Sequence, residues 1–199
     1  MGSGKRVVMK VNSLAPIFEL TDIFDRTINL KDYRGKRVLI GFFRHAGCPF
    51  CNTRVHRLET RYKELKEMGL EMIFFFESDK ETLLGNDFHR GVSPIPIISD
   101  PAKQWYDRYG VEESAMASAK SHLTSFFSSA IRAKLNKLPV HWMKGNESIN
   151  TLPAEFLIDE YGVVQKLLYC KRLNQRLGME TIEDFAKEFQ DNKWGKGSA

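Results

Sequence analysis

Two cysteines lie three positions apart in the run Arg44-His45-Ala46-Gly47-Cys48-Pro49-Phe50-Cys51. A C-x-x-C pair at the start of a helix can close a small disulfide ring. Backbone N–H groups and the helix dipole there favour a thiolate. A free thiol titrates near 8.5, and such a setting can bring it to ~3.5–7.5. Pro49 falls just inside the helix, where a missing N–H costs nothing. Arg44 and His45 add positive charge before the pair. Arg44 could orient a peroxide or a carboxylate, and His45 could help deprotonate a thiol. Three chemistries fit a bare C-x-x-C: half of a zinc site, a buried structural pair, or a redox pair. Zinc needs about four ligands. Beyond the pair the chain offers Cys170 and scattered histidines, and His56 has no second partner nearby. The surroundings favour the redox pair.

Those surroundings are a strand followed by a helix. Residues 36–43 contain a continuous apolar run, as a strand buried on both faces would. Val55, Leu58, Tyr62 and Leu65 then recur at helical spacing, with Gly69 as a stop. In an open α/β sheet, such a strand-to-helix edge is where sites collect. Met72 to Phe76 reads as a second buried strand, Thr82 to Arg90 as a helix, and Ile95 to Ile98 as a short strand end. Ala102 to Tyr109 is a short helix ended by Gly110. Phe156 to Ile158 and Val163 to Tyr169 make a hairpin around Asp159-Glu160-Tyr161-Gly162, with glycine at the last turn position. A last helix starts at Thr181, with Ile182, Phe185 and Phe189 on one face. This order predicts an α/β fold, a central mixed sheet flanked by helices.

The whole chain is 199 residues, 42% hydrophobic and 28% charged. That is enough for one full core without disulfide staples. Three cysteines are too few, and odd in number, for a secreted scaffold. No run approaches the ~20 apolar residues of a membrane span. Residues 1–11 hold no apolar stretch of signal-peptide length. These features point to a reducing cytoplasm. The net charge of +5 is too mild to indicate nucleic acid.

Residues 114–149 fit the plan poorly. Lys120, Arg132, Lys134, Lys137 and Lys144 are interleaved with apolar residues, and Leu123, Phe127, Ile131 and Leu135 have helical spacing. We read a basic helical insertion. It could cover the sheet or form a homodimer interface, form a lip that selects substrate, or lie on a membrane surface. Its serines dilute the apolar face and disfavour the membrane. Residues 1–12 are read as an N-terminal extension or strand, 13–190 as the domain, and 191–199 as a flexible tail.

At this point a resemblance emerges. Ala15-Pro16-Ile17-Phe18-Glu19-Leu20, then Leu30-Lys31-Asp32-Tyr33-Arg34-Gly35-Lys36, is similar to the opening of peroxiredoxins of the AhpC/TSA group. Pro153-Ala154-Glu155-Phe156-Leu157-Ile158-Asp159, followed by Gly162, resembles their later P-A-x-F-x-I-D…G segment. Phe43-Arg44-His45 running into the cysteines resembles the peroxiredoxin-like 2 branch. The likeness covers most of 13–111 and 150–190. It implies a thioredoxin fold and makes Pro153 a cis-proline facing the redox pair. It implies a thioredoxin-type or small-thiol electron donor, a peroxide or disulfide substrate, and no cofactor.

The chain also departs from that pattern. Typical members use P-x-x-x-T/S-x-x-C. Aligned on Cys51, Arg44 replaces the proline and Cys48 the threonine. The arginine often found before the late proline is Leu152, and the aspartate that thioredoxins place six residues before their first cysteine is Phe42. In thioredoxin-like exchange Cys48 attacks and Cys51 resolves. In peroxiredoxin-like chemistry Cys51 becomes the sulfenic acid and Cys48 condenses with it. Exposure and thiolate character favour Cys48 as the nucleophile. The functional expectation is a thiol–disulfide oxidoreductase with antioxidant character, the alternatives being a dedicated hydroperoxide peroxidase and a redox-sensing, partner-binding module. Cys170 reads as a small buried hydrophobe, Trp105 and Tyr106 as packing, Asp159 as a turn former, and Asp100 as a helix-start residue.

Overall fold

A computed structural model describes residues 8–111, 113, 148 and 150–194, with side chains of the last helix through Glu188. Apart from Ser148, the insertion expected at 114–149 lies outside the described residues, as do 1–7 and 195–199.

Strand β3 (Arg37–Phe42) is buried along its whole length and forms the middle of a five-stranded sheet. β4 (Leu70–Phe76) and β5 (Ile97–Ser99) extend it on one side in parallel, and β6 (Ala154–Ile158) and β7 (Val164–Tyr169) on the other side run antiparallel, giving the order β5-β4-β3-β6-β7. Parallel neighbours need a crossover and antiparallel ones a tight turn. The chain supplies both. Helices fill 43–69 and 77–96, and the turn 159–162 joins β6 to β7. Gly162, at φ +75°, takes the left-handed conformation that closes this turn, and its N–H donates to the Asp159 carbonyl at 2.9 Å.

Side chains alternate across the sheet with period two. Leu39, Met72, Phe74, Phe76 and Leu157 join one buried cluster with Val55, Leu58, Leu65, Ile182 and Phe185 of the helices. Val38, Ile40, Phe42, Ile73, Phe75 and Phe156 face the other way, against Phe18, Tyr106 and Tyr109. Each fully buried side chain of this size contributes roughly 1.5–3 kcal/mol, so the two-sided core holds the sheet edge in place.

The helices differ in detail from the periodicity. The single helix expected to end at Gly69 is two, α1 (Pro49–Glu59) and α2 (Tyr62–Glu67). The chain tightens where the Arg61 N–H donates to the Leu58 carbonyl at 3.2 Å, and the Arg61 side chain is held by Glu64 and Glu183. The apolar spacing survives the break because Leu58 and Leu65 still face the core. The helix expected over 82–90 splits into α3 (Lys80–Leu84) and α4 (Asp87–Gly91), because Gly85 ends the first and Asn86 is extended. α5 (Gln104–Arg108) is started by Asp100, whose carboxylate accepts the N–H groups of Gln104 and Trp105.

α6 (Met179–Trp194) begins two residues before Thr181 and continues through 191–194, which the sequence assigned to a tail. At the other end, residues 8–12 form no strand. Leu14 makes one bridge to Val163, and the following segment instead folds into its own hairpin of β1 (Glu19–Thr21) and β2 (Thr27–Asn29).

Candidate active site

β3 ends under the cysteine loop. The Phe43 N–H still donates to Phe75 O at 2.9 Å, and its carbonyl accepts the Tyr106 hydroxyl. From Arg44 the chain leaves the sheet. The Cys48 N–H donates to the His45 carbonyl at 3.0 Å, and Cys48 becomes the N-cap of α1 with Pro49 following. Two polar contacts pin the loop. The Ala46 N–H donates to Ser78 Oγ at 2.7 Å, and the Ala46 carbonyl accepts Asn52 Nδ2 at 2.7 Å. A loop held from β4's end and from α1 keeps its backbone satisfied while buried.

Both sulfurs are fully buried free thiols, which corrects the exposure expected of Cys48: the loop and α1 cover it, and only its thiolate character still favours it. They lie close enough for each to act on the other's proton. Cys51 Sγ in turn accepts the Arg44 N–H at 3.4 Å. Arg44 Nη1 stands 3.8 Å from Cys48 Sγ. Burial works against ionising Cys48, but the Cys51 hydrogen bond and the Arg44 charge outweigh it and pull the thiol down to about 6. Cys51 moves the other way. Burial and the neighbouring Cys48 sulfur push it well above the ordinary thiol range. The two shifts run in opposite directions and favour the thiolate on Cys48.

Arg44 is only 1% exposed. Its Nε and Nη2 find no hydrogen-bond partner, and among the described residues no carboxylate pairs with it. A buried guanidinium without a carboxylate is costly, and among the described residues the Cys48 sulfur, 3.8 Å from Nη1, is the group there that can take a negative charge beside it. His45 is also buried, and its carbonyl serves the Cys48 turn.

Pro153 requires a correction. The Leu152–Pro153 bond is trans, not the cis bond that the resemblance implied. The Pro153 carbonyl accepts the Cys170 N–H at 2.9 Å, so Pro153 continues the extended path into β6. The β3–β6 register, with Phe42 opposite Ala154, still places Pro153 across from Phe43 at the edge that carries the cysteine loop.

Four charged residues that sequence reasoning missed frame this edge. Arg54, one turn beyond Cys51 on α1, forks onto Glu155 of β6 at 2.7 and 2.9 Å, and both are buried. Glu155 also accepts the Leu177 N–H at 2.9 Å, and Arg54 donates to the Leu177 carbonyl at 3.0 Å. Arg176 reaches from the β7–α6 loop, donating to the carbonyls of Leu173 at 2.9 Å and Phe50 at 3.4 Å. At β4's end Glu77, held above the usual carboxylate range by burial, accepts Thr151 Oγ1 at 2.7 Å and the Ser148 N–H at 3.0 Å, with Lys103 Nζ at 3.2 Å. These contacts tie down the two ends of the 114–149 segment, since Lys103 also bonds Glu113. The signal for Glu77 and Glu155 was a carboxylate within or directly after an apolar strand run, where only a paired one is tolerated.

Cys170 is a different kind of thiol. It is buried, its S–H donates to the Gln175 carbonyl at 2.9 Å, and burial pushes it up to about 11. Asp159 Oδ1 accepts the N–H groups of Tyr161 and Val163 and shapes the hairpin turn. Among the described residues no group of three or more His, Cys, Asp and Glu is placed to hold a metal ion, and no helix is long and apolar enough to cross a membrane.

The chain can now be set beside known proteins. It is 29% identical over 103 residues to peroxiredoxin Bcp of Escherichia coli K12, covering 52% of this chain and 65% of that protein. It is 30% identical over 103 residues to the putative peroxiredoxin bcp of Haemophilus influenzae, covering 52% of this chain and 66% of that one. It is 27% identical over 107 residues to the thiol-disulfide oxidoreductase ResA of Bacillus thuringiensis subsp. konkukian, covering 54% of this chain and 61% of that one. The chain thus spans just under two thirds of the length of these relatives. The model of the AhpC/TSA family matches residues 11–167, a stretch that takes in the cysteine loop and the sheet from β3 to most of β7. A mixed sheet with a C-x-x-C helix at the carboxyl end of its central strand is the thioredoxin fold, and with that match the chain belongs to the AhpC/TSA family.

Proposed function

We propose that the chain is a thiol–disulfide oxidoreductase in which Cys48 is the nucleophile and Cys51 the resolving thiol. The observation that carries this is the placement of Arg44: its guanidinium is buried without a carboxylate partner among the described residues and stands 3.8 Å from Cys48 Sγ, a setting that lowers the Cys48 thiol. The Cys48 thiolate attacks one sulfur of an oxidised substrate, forming a mixed disulfide and releasing the other half as a thiolate. Cys51 gives up its proton, attacks Cys48 and displaces the second thiolate. Two electrons pass to the substrate and the chain is left with the Cys48–Cys51 disulfide. Arg44 holds the thiolate before attack and the departing charge after it. Pro153 and His45 shape the walls of the site. A thioredoxin-type or small-thiol donor then returns the pair to the dithiol. The few, unpaired cysteines support a reducing, cytoplasmic setting.

The test is an insulin-reduction assay on the full chain and its single serine variants. Cys48→Ser abolishes turnover. Cys51→Ser accumulates a mixed disulfide through Cys48 that mass spectrometry identifies. Full turnover in both variants overturns the reading. The family match and the relatives named peroxiredoxin favour a second reading, in which a hydroperoxide is the oxidant. There the thiolate attacks the O–O bond, releases an alcohol or water and becomes a sulfenic acid, which the other thiol converts to the same disulfide with loss of water. Stopped-flow mixing with hydrogen peroxide separates the two, since a rate no faster than that of a free thiolate leaves disulfide exchange alone.

A further inference from the structure

Beside the cysteine loop lies a groove of about 370 Å³ between one face of α1 and the β7–α6 loop. Phe50, Thr53, Arg54, Arg57 and Arg176 line it. Among the described residues no acidic one lines it. The nearest carboxylate, Glu155, is fully buried and already committed to Arg54. Arg57 is exposed and makes no ion pair among the described residues. Arg176 donates to the carbonyl of Phe50, the residue before Cys51, so the groove borders the turn of α1 that carries the redox pair.

We propose that this groove seats the electron donor, and that the donor is a low-molecular-weight thiol carrying carboxylates. The proposal rests on the redox-pair reading and names the donor class for it. Three features select the class. The volume suits a small molecule rather than a protein face. The surplus of arginine over carboxylate asks for a ligand with negative charge, and guanidinium groups match carboxylates two bonds at a time. Arg176, which lines the groove, bonds the Phe50 carbonyl and acts electrostatically on both sulfurs, which ties the groove to the Cys48–Cys51 pair. The donor's thiolate attacks Cys48 Sγ, the bond to Cys51 breaks, and Cys51 leaves as a thiolate and takes a proton. A second donor thiolate attacks the donor sulfur of that mixed disulfide. Cys48 is released, and the two donors depart joined as a disulfide, having given two electrons.

The experiment reduces the oxidised full-length chain with glutathione, which bears two carboxylates, and with uncharged 2-mercaptoethanol, rates being compared per thiolate at low salt. Glutathione is expected to be faster by about tenfold, a gain of the size that complementary charge gives, and to saturate. Arg57→Glu brings the ratio towards one, while Lys63→Glu, an equal charge change on exposed α2, keeps it. Equal rates in the unmodified chain, or equal losses in both variants, overturn the proposal. So does an Arg57→Glu defect confined to reduction by thioredoxin protein, which assigns the groove to a protein partner. If even dithiothreitol finds no Cys48–Cys51 disulfide to reduce, the redox-pair reading itself fails.

Discussion

Two buried arginines, ten residues apart, meet opposite fates. Arg54 is gripped by both oxygens of Glu155 and by the Leu177 carbonyl, so its charge is spent on joining α1 to β6 and to the β7–α6 loop. Arg44 has no carboxylate partner among the described residues, leaves two nitrogens without hydrogen bonds, and faces a sulfur. A paired buried charge is architecture, because both partners were desolvated together and neither can leave. An unpaired one stores a demand for negative charge. At this site the demand is met by whichever state of the chemistry puts charge on Cys48. The stable pair also serves the unstable one, since it fixes the helix whose first turn carries both sulfurs.

The contrast can be broken from either side. Arg54→Ala strands the Glu155 carboxylate in the core and is expected to cost about 3–5 kcal/mol, read by urea unfolding. Replacing both partners, Arg54→Met with Glu155→Leu, should recover most of that loss. If the single variant is as stable as the parent, the staple is decorative. Arg44→Met does the reverse. It relieves an unpaired charge, so stability changes little or rises, while Cys48 loses its cation. Alkylation of Cys48 by iodoacetamide at pH 6.5 should slow by roughly threefold or more, because losing a charge at this range raises a thiol that titrates near 6 by one pH unit or more. Equal alkylation rates would remove Arg44 from the chemistry.

A pH scan sharpens the same contrast. Cys48 titrates lower in the folded chain than in the unfolded one, so its contribution to stability is complete above the unfolded value near 9 and is lost as pH falls through about 6. Cys51 is shifted upward, so its contribution is present below the unfolded value and is lost as pH rises above it. The reduced protein should gain stability from pH 6 to about 9 and lose it beyond. In Cys48→Ser the rising limb should flatten. A flat profile in the parent chain would contradict the unequal pair. The smallest effect is expected at Cys170, whose proton is committed to the Gln175 carbonyl. Cys170→Ala should cost about 1 kcal/mol and leave insulin reduction within about twofold, since Cys170 lies outside the exchange chemistry.

The sheet and the cysteine loop were legible because their signals are local. The apolar runs of β3 and β4, the turn at Gly162 and the C-x-x-C spacing each depend on a few adjacent residues. The Arg54–Glu155 staple was not, since its members stand 101 positions apart and only the β3–β6 register brings them together. The break at Thr60–Arg61 was hidden for another reason. The apolar period continues through it, so packing looks the same whether one helix or two carry it. Arg44 could be named but not placed, because burial of a single arginine depends on how the loop folds over it. The trans bond at Pro153 came against the resemblance, and the ladder contact to Cys170 that accompanies it is long-range in the same way.

The most direct test is thiolate absorbance at 240 nm across pH in the reduced chain and in its two serine variants. The account predicts one thiolate appearing near pH 6, retained in Cys51→Ser, where the hydroxyl can still donate, and absent in Cys48→Ser. A thiolate that titrates near neutrality in Cys48→Ser would place the charge on Cys51 and contradict it.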